Sequence, residues 1–322
     1  MKPRLLLAAI AGMLLAIALI AYHGFMAVFD ALLSAGWGLI GVALFHLIPM
    51  LCSALGWRAV MRSEWRETIL VFLGARWLRE AINNLLPVAQ VGGDIVGARV
   101  VTFRGASARL AGAGVIVDVT VEVLTQLIFT VMGLGLLILA GGNEEAVNWV
   151  LAGLAIVTPA LIGFVLAQRW GLFKLLERLL EMLEAQWGWL SLGSLTNLHE
   201  TVLALYNDRR GILASCVYHL LSWLTGVGEV WLALYFMGVE VTLIEAVILE
   251  SLGQAVRTAA FLVPGALGVQ EGGYVLLGAL FQLSPEVALA LSLFKRVRDL
   301  LLGLPAMLVW QLVEGKRLVG EP

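Results

Sequence analysis

At 322 residues, 61% apolar and 14% charged, the chain departs far from soluble domains, which average roughly 45–50% and 25%. Its mean hydropathy is +0.94, and its formal net charge of −2 gives no basis for a nucleic-acid partner. What remains is an all-α polytopic membrane protein.

The first apolar run, about 5–22, follows Lys2 and Arg4. A signal peptide shares that layout, but the run is long and no small-x-small site closes it cleanly, which favours a retained helix. Another span covers about 36–57, close to the roughly 20 residues a bilayer requires. Next comes 67–104, where Pro and Gly interrupt an apolar stretch: NLLPVAQVGGD, with Pro87 seven residues before Asp94. The run 108–140 is too long for one upright crossing and must tilt, kink or project. A span at 147–168 leads to WGLFKLLERLLEMLEAQ, where Leu172, Leu176, Leu179, Leu180 and Leu183 share one helical face. Lys174, Glu177, Arg178, Glu181 and Glu184 occupy the other face, so an interfacial helix forming a structural rim is expected. A span at 211–236 precedes a second interrupted stretch at 243–283: FLVPGALGVQE, with Pro264 seven residues before Glu271. The last span covers 286–313.

Charge placement orients these segments. Arginines and lysines gather at the N-terminus, after the second span (Arg58, Arg62, Arg66), in the middle loop and at Lys316 and Arg317. The loops near 23–35, 141–146, 237–243 and 282–285 hold none. Both termini are therefore expected in the cytoplasm of a bacterial-type inner membrane. Six crossings satisfy this if the two Pro-Gly segments are re-entrant hairpins, entering from opposite faces. Pro87 and Pro264 are 177 residues apart, as are Asp94 and Glu271. One integral domain, 1–322, then contains repeat one (about 36–140), a connecting region (147–210) and repeat two (about 213–313), the repeats being inverted. The alternative is coincidence between two Gly-rich apolar stretches.

Breaking a helix in hydrocarbon strands backbone N–H and C=O groups, which only protein or a water-filled cavity can cover. Paired breaks thus point to a central binding site. Pro87 and Pro264 end helices, Gly92, Gly93, Gly265 and Gly268 allow sharp turns or close approach, and Asp94 and Glu271 sit where the positive end of a half-helix favours a carboxylate. Arg99 stands near the first acid and Arg257 near the second. The bland reading, that each acid only caps its helix, is compatible with lining a pathway. Asp118 and Glu122 lie one turn apart on one face, with Arg296 and Arg298 in the corresponding span of the second repeat. An ion pair between the repeats is expected from them, and structural and pathway roles for the two acids stand equal. His46 and His219 have no second ligand at i+3 or i+4, so no metal is expected. Cys52 and Cys216 lack disulfide or metal spacing and are expected as buried thiols. Trp37, Trp149 and Trp170 suit the membrane interface. Neither a nucleophile beside a base nor a nucleotide-binding loop is present, so no cofactor and no catalytic residue is assigned.

NNLLPVAQVGGDIVGAR (Asn83 to Arg99), VPGALGVQEGG (Val263 to Gly273) and KRVRD in the last span resemble the lysylphosphatidylglycerol synthase transmembrane-region family. The first family motif reads N-x-x-x-P-x-x-x-G-G-E followed by Arg. Pro87, Gly92, Gly93 and Arg99 match, Asp94 replaces Glu, and one extra residue leaves Asn83 and Asn84 as alternatives. Pro264, Gly265, Gly268 and Glu271 match the second motif. The resemblance implies a flippase-like domain that moves lipids between leaflets. It lacks the soluble aminoacyl-transferring part of the synthases, so it is not expected to be an enzyme. The closing RDLLLGLPAMLVWQ is similar to stand-alone, hopanoid-associated (HpnL-type) members. A lipid substrate, the bilayer, lipid-biosynthesis enzymes and a second copy of the chain are the partners that follow. A membrane-embedded lipid-modifying enzyme and a non-catalytic scaffold are the alternatives.

Overall fold

The computed structural model describes residues 25–86, 92–141, 197–260 and 263–318, with positions 148, 151–152 and 155 between them. The expected first span at 5–22, most of 147–168, the amphipathic stretch at 172–184, Trp149, Trp170 and Pro87 fall outside the described residues. Within them the chain is helical, without a strand. The elements are α1 (Phe25–Ser34), α2 (Gly38–Phe45), α3 (Leu47–Met61), α4 (Ile69–Leu85), α5 (Gly92–Thr102), α6 (Ala108–Leu139), α7 (Leu198–Asn207), α8 (Arg209–Phe236), α9 (Leu243–Ala259), a 3₁₀ turn (Pro264–Ala266), α10 (Val269–Ala279) and α11 (Pro285–Leu318).

Among the described residues, three helical stretches are long and apolar enough to cross a membrane: Gly38–Met61, Ala108–Leu139 and Arg209–Phe236. They correspond to the expected spans at 36–57, 108–140 and 211–236. The expected last span lies inside α11, where Lys295, Arg296, Arg298 and Asp299 interrupt its apolar character. The long third run is one unbroken helix of 32 residues, about 48 Å at 1.5 Å per residue. Local chemistry sets several starts. Ser107 accepts from the Leu110 N–H to open α6, and Asp208 accepts from Gly211 to open α8. Thr242 and Glu245 form a reciprocal capping box at α9. Pro49 has no N–H for the Phe45 carbonyl, and the helix breaks between α2 and α3 at His46.

The two interrupted stretches have the same build. Each has a 17-residue helix (α4, α9), a break, and an 11-residue helix (α5, α10). α5 and α10 begin and end 177 residues apart. In the first, Gly93 packs so closely on α4 that a Cβ would lie 2.1 Å from the Arg79 carbonyl oxygen. In the second, Gly265 (φ 61°) and Gly268 (φ 76°) take left-handed conformations that the turn into α10 requires.

Two apolar cores flank the polar centre. One gathers Trp57, Phe72, Val121 and Leu205; the other gathers Phe129, Leu234, Leu249 and Phe294. α3 lies along α8, with Gly56 against the His219 ring, and α6 meets α9 where Gly133 faces Ser251. α11 crosses α4, with Gly303 against Leu85, and Trp77 Nε1 donates to the Leu302 carbonyl (2.8 Å) in the turn before Pro305.

A charged cavity where the two helix breaks meet

α4 carries Arg76, Arg79, Glu80 and Asn83 at i, i+3, i+4 and i+7, a spacing that sets all of them on one face. That face borders a cavity of about 260 Å³, also lined by His46, Ser53, Asn84, Asp94, Glu122, Gln126, Glu229, Glu250, Gln254, Arg257 and Arg298. The volume is far above the roughly 10–15 Å³ that one water needs. Such a concentration of charge among apolar helices is costly unless each group is paired, and the pairing is dense. Arg76 grips Glu122 with two bonds of 2.9 and 2.6 Å and Glu80 with a third of 2.6 Å. Arg79 faces Asp94 through Nε and reaches Asp118 (2.7 Å) and Glu122 (3.1 Å). Asp118, fully buried, also takes a contact from His219 Nε2 at 2.9 Å.

On the opposite wall, Arg298 pairs with Glu229 and with Asp299 (2.7 Å), while Lys295 pairs with Glu250. Gln254 donates to the other oxygen of Glu250 at 2.9 Å. His46 stands between the walls, with Nδ1 2.7 Å from Glu229 and Nε2 3.1 Å from Glu80. The helix breaks meet here as well. Arg257 Nη2 donates to Asn84 Oδ1 at 2.8 Å, and the backbone carbonyl of Asn84 lies beside Gly265. Gln126 donates to Thr258 Oγ1 (2.6 Å) and to the Gln254 carbonyl (3.1 Å), tying α6 to α9.

The model of the lysylphosphatidylglycerol synthase transmembrane region matches residues 6–306. The chain belongs to that family. No curated protein and no solved structure matches it.

In this lysylphosphatidylglycerol synthase transmembrane-region protein the candidate residues divide into groups. Asn83, Asn84, Asp94, Glu122 and Arg298 line the cavity. The two asparagines, alternatives in the sequence, do different work. Asn83 Oδ1 accepts from the Gly93 N–H at 2.8 Å and holds the first break together, whereas Asn84 reaches the second. Asp118 lies behind the wall, on Arg79 and His219. Gly92 and Gly93 open α5, and Pro264 opens the 3₁₀ turn. Glu271 and Arg296 make a separate buried cluster. The carboxylate accepts from Gly268 N–H (2.7 Å), Ser292 (3.1 Å) and Arg296 Nε (2.6 Å), and Arg296 also donates to the Gly265 carbonyl (3.0 Å). That cluster caps α10 and pins the turn.

Two expectations are corrected. Asp118 and Glu122 do not pair with Arg296 or Arg298; Arg76 and Arg79, only two or three turns along the neighbouring α4, neutralise them first. Arg99 does not join Asp94 at the cavity. Its guanidinium lies over the Phe103 ring, 5.5 Å from the centroid, because position 99 falls on the opposite side of α5 from the face that meets α4. Sequence reasoning weighed His46 only as a metal ligand and passed over Glu80, Glu229 and Gln126. The signal for Glu80 was the polar face of α4. His46 and Glu229 are single polar positions in apolar spans, whose partnership is visible only once α3 and α8 pack. Among the described residues no group of His, Cys, Asp or Glu could hold a metal ion, and Cys52 and Cys216 are free thiols, each only half-buried.

Proposed function

We propose that this protein carries a polar lipid from one leaflet of a membrane to the other without changing it chemically. The observation that carries this is the charged cavity of about 260 Å³ set among helices apolar enough to cross a bilayer. A lipid head group must leave water during such a passage, and its polar atoms need replacement partners. Arginine forks and carboxylates at one place offer them, while the acyl chains stay in hydrocarbon. Membership of a family linked to lipid biosynthesis and flipping agrees with this reading.

The same proposal extends to topology. α4 and α9 span about 25 Å and α5 and α10 about 16 Å at 1.5 Å per residue, short of the roughly 30 Å hydrocarbon core. Their matched lengths, with α9 174 residues after α4 and α10 177 after α5, support re-entrant hairpins in an inverted repeat, six crossings, and both termini in the cytoplasm of a bacterial-type inner membrane. The closing segment's similarity to hopanoid-associated members makes a hopanoid one substrate to test, with lipid-biosynthesis enzymes or a second copy of the chain as partners.

Reconstitution into vesicles with a leaflet-specific lipid reporter tests the reading. Reporter exchange well above protein-free vesicles, with every lipid mass unchanged, is expected. A new lipid species would replace transport with a lipid-modifying enzyme, and neither exchange nor product would leave a scaffold.

A further inference from the structure

We infer that His46 is a proton-carrying group and that the protein exchanges protons for lipid, an inference that rests on the lipid-transport reading above. The ring has an ionisable oxygen acceptor at each nitrogen: Glu80 Oε2 at 3.1 Å from Nε2 and Glu229 Oε1 at 2.7 Å from Nδ1. Carboxylates only accept, so a doubly protonated ring satisfies both contacts. A third group reaches the same Nδ1. Arg298 Nη1, which can only donate, lies 3.2 Å away. Nδ1 therefore has a partner in either state: Glu229 when it carries a proton, Arg298 when it does not. A buried polar group left unpaired costs on the order of 1–3 kcal/mol, and this arrangement strands neither form of the ring. A histidine kept only to hold helices together has no need of the second partner.

The surrounding charges come from the other walls. α4 supplies Arg76 and Glu80, α8 supplies Glu229, and α11 supplies Arg298 and Asp299 with Arg257 of α9 beyond it; α3 offers the uncharged Pro49, Met50 and Ser53. Loss of the Nδ1 proton breaks that N–H bond, leaves the electron pair on nitrogen to accept from Arg298, and passes the proton to cavity water. Glu229 Oε1 is then without its histidine donor. A hydroxyl or ammonium of an entering head group can take that place, so the head group and the His46 Nδ1 proton compete for one oxygen. Exchange in opposite directions, one proton per lipid, follows.

The test uses the full chain in vesicles of phosphatidylethanolamine and phosphatidylglycerol carrying a trace of tail-labelled phosphatidylglycerol, with the interior one pH unit more acidic. With the membrane potential held at zero by valinomycin and equal potassium on both sides, one exchanged proton lets that gradient hold up to about a tenfold excess of reporter on the inner leaflet. A protonophore should return the ratio to one, and His46→Gln should give a ratio of one with the gradient intact. Reporter that equilibrates evenly in the unmodified protein under a maintained gradient overturns proton exchange and leaves lipid transport standing. No reporter movement and no proton movement, read by a trapped pH dye, overturns both. A His46→Gln protein that still accumulates reporter about tenfold removes His46 as carrier. If that variant does not fold, Glu80→Gln decides: it removes one counter-charge, and the midpoint of the lipid-movement pH profile should shift acid. An unmoved midpoint leaves His46 as a strut.

Discussion

Arg79→Met is the sharpest probe of what holds the cavity wall together. The substitution keeps side-chain length and removes the guanidinium that pairs directly with two acids. Arg79 faces Asp94 through Nε and lies 2.7 Å from Asp118, whereas Glu122 retains both of its bonds to Arg76. Asp118 is fully buried and would keep only its contact with His219, with no water to replace the lost guanidinium. Breaking a buried pair this way costs about 3–5 kcal/mol, and loss of the guanidinium stacked near the Trp57 ring at 5.9 Å adds about 0.5–1 kcal/mol. Asp118→Asn alone should cost less, about 1–2 kcal/mol. Its carbonyl still accepts from Arg79, and its amide can donate to His219 Nε2 if that ring carries its proton on Nδ1. Combining the two removes the orphaned acid with its partner, so the double variant should be more stable than Arg79→Met by about 1–3 kcal/mol, a non-additivity expected only of groups in contact. Denaturant unfolding of the purified proteins in matched detergent reads all four corners. Additive costs, or an Arg79→Met protein within about 1 kcal/mol of the parent, would refute the account of Arg79 as the neutralising centre.

Gly93→Ala should separate α5 from α4 and cost about 1–3 kcal/mol, since its Cβ would meet the Arg79 carbonyl at 2.1 Å, while Gly74→Ala, with open space around it, should be neutral or stabilising by up to about 1 kcal/mol; unfolding in detergent compares them. In a cysteine-free background, single cysteines at Ala140, Glu240 and Ser284, all exposed, should label from outside, and those at Glu64, Arg104 and Arg210 from inside; opposite faces for 64 and 104, or for 240 and 284, end the re-entrant reading. The Asp208 carboxyl is held below the usual carboxylate range, chiefly by the Gly211 N–H and then by Arg62. A depressed folded-state value means this cap contributes fully above about pH 4 and is lost as pH falls through the folded value. Asp208→Asn should therefore flatten the acid limb of a melting-temperature profile, and an unchanged limb would remove the cap from the account.

The helical fold and three of the expected spans were legible because they rest on composition and run length, which need no tertiary information. The breaks after Leu85 and around Pro264 were legible for a similar reason: proline and glycine act on the local backbone, and α4 ends at Leu85 as α5 begins at Gly92. Glu271 could be placed at the start of a half-helix because capping is a three-residue affair. Pairing across the cavity was not legible. The 177-residue offset set Asp118 and Glu122 opposite the basic turn of α11, but an offset carries no information on which neighbour is nearer, and Arg76 and Arg79 are. His46 was dismissed for want of a ligand at helical spacing, yet its partners lie 34 and 183 residues away. Long-range polar partners are chosen by packing, and packing leaves little trace in a sequence that is apolar almost everywhere.

The chemistry of the ties across the cavity differs from that of its walls. Take residues 38–139 as one half and 209–318 as the other. Around the cavity, among the described residues, the arginine and lysine pairs with carboxylates stay inside a half: Arg76 and Arg79 with Glu80, Asp94, Asp118 and Glu122; Lys295 and Arg298 with Glu250, Glu229 and Asp299. Between the halves run Asn84–Arg257, Gln126–Thr258, Ser53–Ser222 and the histidine contacts of His46 and His219. Parting the halves would therefore separate contacts worth about 0.5–1.5 kcal/mol net where both partners are neutral and about 1.5–3 kcal/mol where one is charged, all replaceable by water. It would leave these cavity cations with their acids, where a broken pair would cost about 3–5 kcal/mol. A wall stiffened by ion pairs and a seam closed by exchangeable hydrogen bonds is the arrangement that lets a charged cavity open without exposing an uncompensated charge to hydrocarbon. It also sets His46, a cavity-lining tie whose strength depends on a proton, at the place where opening would be decided.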